Sequence, residues 1–341
     1  MKHANISLFV PHAGCPHQCS FCNQKTISGS VTPLTAEETV KTLTEAAQSG
    51  LDPADTEIAF FGGSFTAIER DYMVSLLEAA HPFVADGTFC GIRVSTRPDA
   101  ISADILEILK KYGVTSVELG AQSTDDTVLT LNNRGHSRAD IFNAAELIKK
   151  AGISLGLQMM TGLYGDTPEK CVKTAGDIIR MRPDTVRIYP TITLEGTYLA
   201  ELYRAGRYTP QTLGEAVDLC AVLLKMFHDE NITVIRLGLH SGGNVDEGYV
   251  AGPYHPAFGE LCDSKIYLEQ AKDLLINKYG ERHTDVCSLT KTPAPVLYVN
   301  DREVSKMIGQ KRSNLAALAR MGFDVTVKCD ASLKKYEINL A

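Results

Sequence analysis

The sequence predicts an α/β fold: a partial (open) parallel β/α barrel of about six units, followed by a small α+β C-terminal unit. Three observations carry this. Short apolar runs rich in β-branched and aromatic residues recur along the chain with helical patterns between them, the signature of βαβ units and a parallel sheet. A chain of 341 residues, 44% hydrophobic and 22% charged, can fill a barrel-sized core and leave an appendage. From residue 291 onward the pattern changes to a basic β-α-α-β-β order.

Strands are expected at ISLFV (6–10), EIAFF (57–61), GIRVS (91–95), TSVEL (115–119), ISLGLQM (153–159), TVRIYP (185–190) and ITVIRL (232–237). Helices are expected over 35–47, with Thr35 as N-cap and Glu37 and Glu38 in the first turn, and over 70–80, 102–112 (closed by Gly113), 138–151 and 168–181. In parallel α/β folds chemistry collects at the C-terminal ends of the strands. The tail reads as strand PVLYVN, helix DREVSKMIG, turn QKRS, helix NLAALARMG, then strands DVTVKCD and KYEINL. The expected division is a barrel over 1–240, a substrate-side extension over 241–290 and a small basic unit over 291–341.

No apolar stretch approaches the roughly 20 residues that span a bilayer, and the amino terminus lacks a signal-peptide core, so the expected setting is cytoplasmic, without a membrane partner. Nine cysteines, six of them scattered singly, argue against a disulfide framework. The segment 291–341 holds nine Lys or Arg against five Asp or Glu, a net of +4, which leaves −11 on the rest of a chain whose total is −7. A basic unit on an acidic body suits a polyanionic partner, though such a net charge is also common on solvated surfaces.

The stretch CPHQCSFC places Cys15, Cys19 and Cys22 as C-x3-C-x2-C just after the first strand. A structural zinc site wants four ligands, and no second C-x2-C occurs. A redox C-x-x-C would leave Cys15 idle. Three thiolates suit a [4Fe-4S] cluster with one iron open to a substrate or cofactor, ahead of zinc or incidental cysteines.

With Phe21 before its last cysteine, this motif resembles that of the radical S-adenosylmethionine (SAM) superfamily. The resemblance implies that SAM chelates the open iron, and that one-electron reduction cleaves it to methionine and a 5′-deoxyadenosyl radical. FFGGSF after the second strand is similar to the family's glycine-rich segment; it assigns Gly62, Gly63 and Ser64 to the methionine end of SAM, where glycine permits close backbone approach. STRPDAI, VELGAQSTDDTVLTLNNRGH, MMTGLYGDTPEK and RIYPTITLEGTYLAELYRAGRY resemble, in order, the radical domain of the Elongator catalytic subunit family, over about residues 5–240; oxygen-independent coproporphyrinogen oxidases are more distant. The likeness puts Gln122 and Arg134 against the SAM ribose and carboxylate, and Ser95 and Gln158 beside them. Taken alone, Arg134 reads as a surface charge and Gln122 as a strand-end cap. Ser95 stands where relatives commonly carry Glu, and Gln158 and Thr161 where the Elongator block has His and Pro. The family further implies an electron donor such as flavodoxin or ferredoxin and a tRNA or other RNA substrate. No acetyl-CoA loop of the family's type is present after residue 240, so acetyl transfer is not expected.

The tail resembles a minimal KH domain, with Gly309, Lys311 and Arg312 in the loop that clamps a nucleic-acid backbone between two helices. Arg312 replaces the second glycine of that loop. A small structural module is the competing reading of comparable weight. The Gly- and His-rich segment 240–267 reads as a substrate-covering loop, with His240 and His255 as candidate proton-transfer groups; Cys262 reads first as a buried structural thiol. Three functions stay open: a radical SAM enzyme acting on an RNA base, one acting on a small molecule, and a zinc-bearing RNA-binding protein.

Overall fold

A computed structural model describes residues 4–10, 18–23, 32–239, 244–280 and 294–341. The chain divides into two compact units, one of residues 1–212 and 227–254, the other of residues 213–226 and 255–341.

The first unit is built on seven parallel strands: β1 (Ala4–Val10), β2 (Thr56–Gly62), β3 (Gly91–Thr96), β4 (Val114–Gln122), β5 (Ser154–Thr161), β6 (Thr185–Pro190) and, after the short β7 (Thr193–Leu194), β8 (Thr233–Leu237). The spatial order is β1-β2-β3-β4-β5-β6-β8, and β1 and β8 are not paired, so the barrel is open. Its curl is visible in the side chains. Strands four apart would lie roughly 19 Å apart in a flat sheet, yet the Arg187 guanidinium of β6 stands 5.8 Å from the Phe61 ring of β2. One face of each strand is apolar and buried under the helices: Ile58 and Phe60, Ile92 and Val94, Val117 and Leu119, Leu155 and Leu157, Val186 and Ile188. The other, concave face carries polar residues. A separate strand pair, β7 with β9 (Tyr249–Ala251), is antiparallel and is not part of this sheet.

The helices start where the caps direct. Thr35 accepts from Glu38 N while the Glu38 carboxylate takes Thr35 N, a complete capping box at the helix Ala36–Ala47. Ser137 and Asp140 repeat the device at Arg138–Lys150. The helix Arg70–Ala85 outruns its expected end because Pro82 removes only its own N–H from the ladder of the last turn. Among the described residues five further helices, Asp126–Leu131, Tyr198–Arg204, Leu213–Asp229, Asn244–Gly248 and Phe258–Tyr279, are not expected from the sequence.

The last of these corrects the loop reading of 240–267. From Phe258 the buried positions Phe258, Cys262, Ile266, Ala271 and Leu275 recur at helical spacing, and before them Asn244–Gly248 is a short helix and Tyr249–Ala251 a strand, so of the described residues only 252–257 keep loop character. His255 Nδ1 accepts from Ala257 N at 3.0 Å, an ordinary turn at the helix start. Cys262 is fully buried in the second unit, and burial pushes its thiol up. His240 lies outside the described residues.

Within the second unit, β10 (Val296–Val299) pairs parallel with β11 (Thr326–Cys329) and antiparallel with β12 (Asn339–Leu340). The helices Val304–Ile308 and Ser313–Arg320 complete the expected β-α-α-β-β order. This layer is sewn to the helix Phe258–Tyr279. Asn314 Nδ2 donates to Ser264 O at 2.8 Å, Tyr336 N donates to Tyr267 Oη at 2.7 Å, and the Tyr336 hydroxyl bonds Asp263. Between the two short helices Gly309 has φ +79°, and a Cβ there would lie 2.5 Å from Ser313 Oγ. Glycine is therefore demanded by packing. Lys311 and Arg312 are exposed, both at positive φ (53° and 63°).

Candidate active site

The site grows from the loop 18–23. Cys15 lies outside the described residues; Cys19 is buried, Cys22 half-buried, and neither forms a disulfide. Cys22 N donates to Cys19 O at 3.2 Å, which closes the C-x2-C segment into a single turn. Main-chain bonds hold this turn: Ser20 N donates to Asn132 O (3.1 Å) and Leu199 N to Ser20 O (2.7 Å). Side chains add Ser20 Oγ to Asn132 Oδ1 (2.6 Å), Asn133 Nδ2 to Gln18 O (2.9 Å) and Asn23 Nδ2 to Glu195 O (2.9 Å). Phe21 packs against Leu199, Leu202 and Tyr208. Its place is that of an apolar anchor for the cysteine turn.

Arg134 reaches the same turn from the end of β4. Asn133 at φ +57° ends the helix Asp126–Leu131, and Arg134 N donates to Leu129 O (2.9 Å). The guanidinium then donates through Nη1 to Cys19 Sγ at 3.2 Å and through Nη2 to Gly120 O at 2.6 Å. Gln122 closes β4 at φ +64° on a register shift against β5. A non-glycine residue held there is strained by about 1–3 kcal/mol, and such outliers gather at functional sites. A Cβ on Gly120 would lie 2.8 Å from Gln122 Nε2 and 3.4 Å from Arg134 Nη2, so these two side chains share the space over that glycine.

Four buried polar atoms here have no hydrogen-bond partner among the described residues: Ser95 Oγ, Gln122 Oε1, Arg134 Nε and His136 Nδ1. His136 Nε2 stands 3.3 Å from Ala121 O, and a carbonyl only accepts, so Nε2 carries the hydrogen and Nδ1 is bare. Burial, then the neighbouring Arg134, pushes this imidazole down to about 4, which keeps it neutral at pH 7.

At the end of β2, Gly62 has φ +117° and a Cβ would meet Val10 O at 2.3 Å, while Gly63 N donates to that same oxygen at 3.1 Å. Ser64, buried, leads into the short turn Phe65–Ala67. Gly62→Ala should destabilise the protein by about 1–3 kcal/mol in urea unfolding, because the methyl group meets main chain and cannot be absorbed by a side-chain rotation. Unchanged stability would refute this close approach.

Three features thus stand together in one sheet unit: a thiol turn, a guanidinium on one of its sulfurs that also binds β4, and a glycine segment at the C-terminal end of β2. A family profile described as the radical SAM superfamily matches residues 9–178, and the radical SAM C-terminal domain matches 183–268. The chain belongs to the radical SAM superfamily. A tRNA uridine(34) acetyltransferase of Dehalococcoides mccartyi is 35% identical over 190 residues, 50% of this chain and 41% of that protein. One from Methanocaldococcus infernus is 28% identical over 256 residues, 63% and 48% of the two chains. Elongator complex protein 3 of Danio rerio is 31% identical over 52% of this chain and 36% of its own. The match thus spans under half the length of each of these curated relatives. In fold, the archaeal Methanocaldococcus infernus Elp3 superposes with a TM-score of 0.61 at 22% identity, over 80% of this chain and 64% of that one.

The residues of this radical SAM chain fit the group its family implies. Thiols in a clamped turn, a cation donating to one of them, and orphaned buried polar atoms beside them form the donor set of a thiolate-held cluster with a polar ligand. Among the described residues no three His, Cys, Asp or Glu side chains converge on a metal position, the third cysteine being Cys15. The structure gathers Cys19, Ser95, Gln122 and Arg134 at one end of the sheet. Gln158, level with Gly120, donates from Nε2 to Glu118 Oε2 at 2.8 Å. Sequence reasoning missed Asn132 and Asn133, which hold the cysteine turn, and Glu118, which organises the concave face. The paired asparagines before Arg134 were the available signal. Among the described residues no helix is long and apolar enough to cross a membrane.

Proposed function

We propose that this radical SAM enzyme holds a [4Fe-4S] cluster through Cys15, Cys19 and Cys22, binds SAM against Gly62, Gly63, Ser64, Ser95, Gln122 and Arg134, and modifies a base of an RNA, tRNA above all. When bound, the cluster supplies the electron that cleaves the SAM sulfonium, from a donor of the flavodoxin or ferredoxin class. The chain's own residues hold and shield. The contact of Arg134 with Cys19 carries the reading, because it joins the cysteine turn to the end of β4, where Gln122 is strained and its amide oxygen has no partner. Asn132 and Leu199 fix the turn; Phe21 excludes water behind it. Gln158 joins the charge network of the concave face through its bond to Glu118.

The RNA part rests on the tRNA named for the relatives and on the basic segment 291–341. The acetyl transfer in those names is not carried over, since the matched segment is the radical SAM part. In the second unit Lys311 and Arg312, exposed on the turn after Gly309, are the phosphate contacts we assign. Anaerobically purified protein should be brown, with about four irons per chain; a colourless protein with stoichiometric zinc would sink the radical reading. In filter binding, Lys311→Ala with Arg312→Ala should weaken tRNA affinity and lower the slope of log affinity against log salt by about two. Equal binding by both forms would return the second unit to a structural role, and no binding by either would favour a small-molecule substrate.

A further inference from the structure

The concave face of the barrel carries a charge balance that does not close. On β2, β3, β4 and β6 the residues Glu57, Arg93, Glu118 and Arg187 form a continuous ladder. Arg93 donates from Nε to Glu57 Oε2 (2.8 Å) and from Nη1 to Glu118 Oε1 (2.9 Å). Arg187 Nη2 donates to Glu118 Oε1 (2.7 Å), its Nε lies 2.6 Å from Oε2, and Gln158 completes the set. Both carboxylates are buried and fully used. Arg236 on β8 is the register partner of Arg187 and so faces the same way. It is the third guanidinium against two carboxylates. Among the described residues Arg236 Nε donates to Gly238 O at 2.9 Å, and no carboxylate is in ion-pair reach. Tyr189, also on this face, is its other electrostatic neighbour besides Arg187.

A half-buried cation without a counter-ion among the described residues, beside a second cation, is stabilised when an anion joins it. The same face also exposes flat apolar surface: Phe9 is 38% exposed, its ring 6.4 Å from that of Phe61, over which Arg187 lies. Aromatic rings and an arginine plane are surfaces on which a nucleobase stacks.

We propose that Arg236 is the anion subsite of the concave face and takes the phosphate of a nucleotide whose base lies toward Phe9 and Phe61. This rests on the reading of the concave face as the place where an RNA base is modified, and it names the group that fixes the base's neighbour in the chain. Arg187 is committed to Glu118, so Arg236 supplies the donors, and its planar fork matches phosphate oxygens.

The experiment compares uridine 5′-monophosphate with uridine by equilibrium binding to the cluster-loaded protein, a pyrimidine being chosen so that it does not compete for the adenosine of SAM. The wild type should prefer the phosphorylated ligand by about tenfold, the preference should fall to near one in Arg236→Gln, and Arg236→Lys, which keeps the charge but not the fork, should keep only part of it. Equal binding of the two ligands by the wild type overturns the subsite. So does a preference that survives in Arg236→Gln, or a loss that appears in SAM affinity instead, which would assign Arg236 to the SAM carboxylate. A parallel titration with unfractionated tRNA separates the two levels. A wild type with the phosphate preference but no tRNA affinity keeps the subsite and discards the RNA reading; a wild type that binds tRNA without any phosphate preference does the reverse.

Discussion

Replacing Glu118 by alanine should destabilise the protein by about 3–5 kcal/mol, among the largest effects available to a single change outside the apolar core. Glu118 is 1% exposed and is the shared acceptor of Arg93, Arg187 and Gln158. Removing its carboxylate leaves two guanidiniums facing each other on the concave side, Arg93 with only Glu57 and Arg187 with no carboxylate. The penalty is therefore that of uncompensated buried charge and not of one lost hydrogen bond. Glu118→Gln, which keeps the shape and one acceptor oxygen, should lose less than the alanine variant. Urea unfolding of the three proteins measures this, and an alanine variant within 1 kcal/mol of wild type would show that water already satisfies the arginines.

Much of this fold was legible because parallel strands buried under helices write themselves as continuous apolar runs: all seven strands of the sheet fall on the runs read from the sequence. Capping chemistry was equally direct at Thr35 and Glu38. The helix Phe258–Tyr279 was hidden by the Gly and Pro content just before it, although its own buried positions keep a helical period. At the site, the cysteine motif and the glycine segment are local patterns and could be read. The clamp on the cysteine turn could not, since Asn132 is 112 residues from Ser20 and Glu195 is 172 from Asn23, and single polar residues at such separations leave no period. The resemblance places Gln158 beside SAM; the bond of its side chain to Glu118 is a further contact set by strand register, which a motif does not encode.

Cys19→Ala should abolish cluster absorbance and SAM cleavage while leaving the folded protein in place. The two expectations have separate physical origins. A cluster held by three thiolates has one thiolate per ligated iron and no substitute nearby among the described residues, so losing one empties the site. The turn itself, however, is held by groups the substitution leaves untouched: Ser20 N on Asn132 O, Leu199 N on Ser20 O, Cys22 N on Cys19 O, and Phe21 against Leu199 and Leu202. Arg134 loses the sulfur but keeps Gly120 O. Stability of the cluster-free forms should then differ by no more than about 1–2 kcal/mol, the loss of a small buried side chain. The iron content, the visible spectrum and 5′-deoxyadenosine formation after anaerobic reconstitution read the first effect, and urea unfolding without iron reads the second. Retained 5′-deoxyadenosine would remove Cys19 from the cluster. A variant that loses iron and fold together would instead make the thiol part of the turn's own stability, and Asn132→Ala, which removes the side-chain bond to Ser20 Oγ but keeps the main-chain bonds and every thiol, would then be expected to retain the fold.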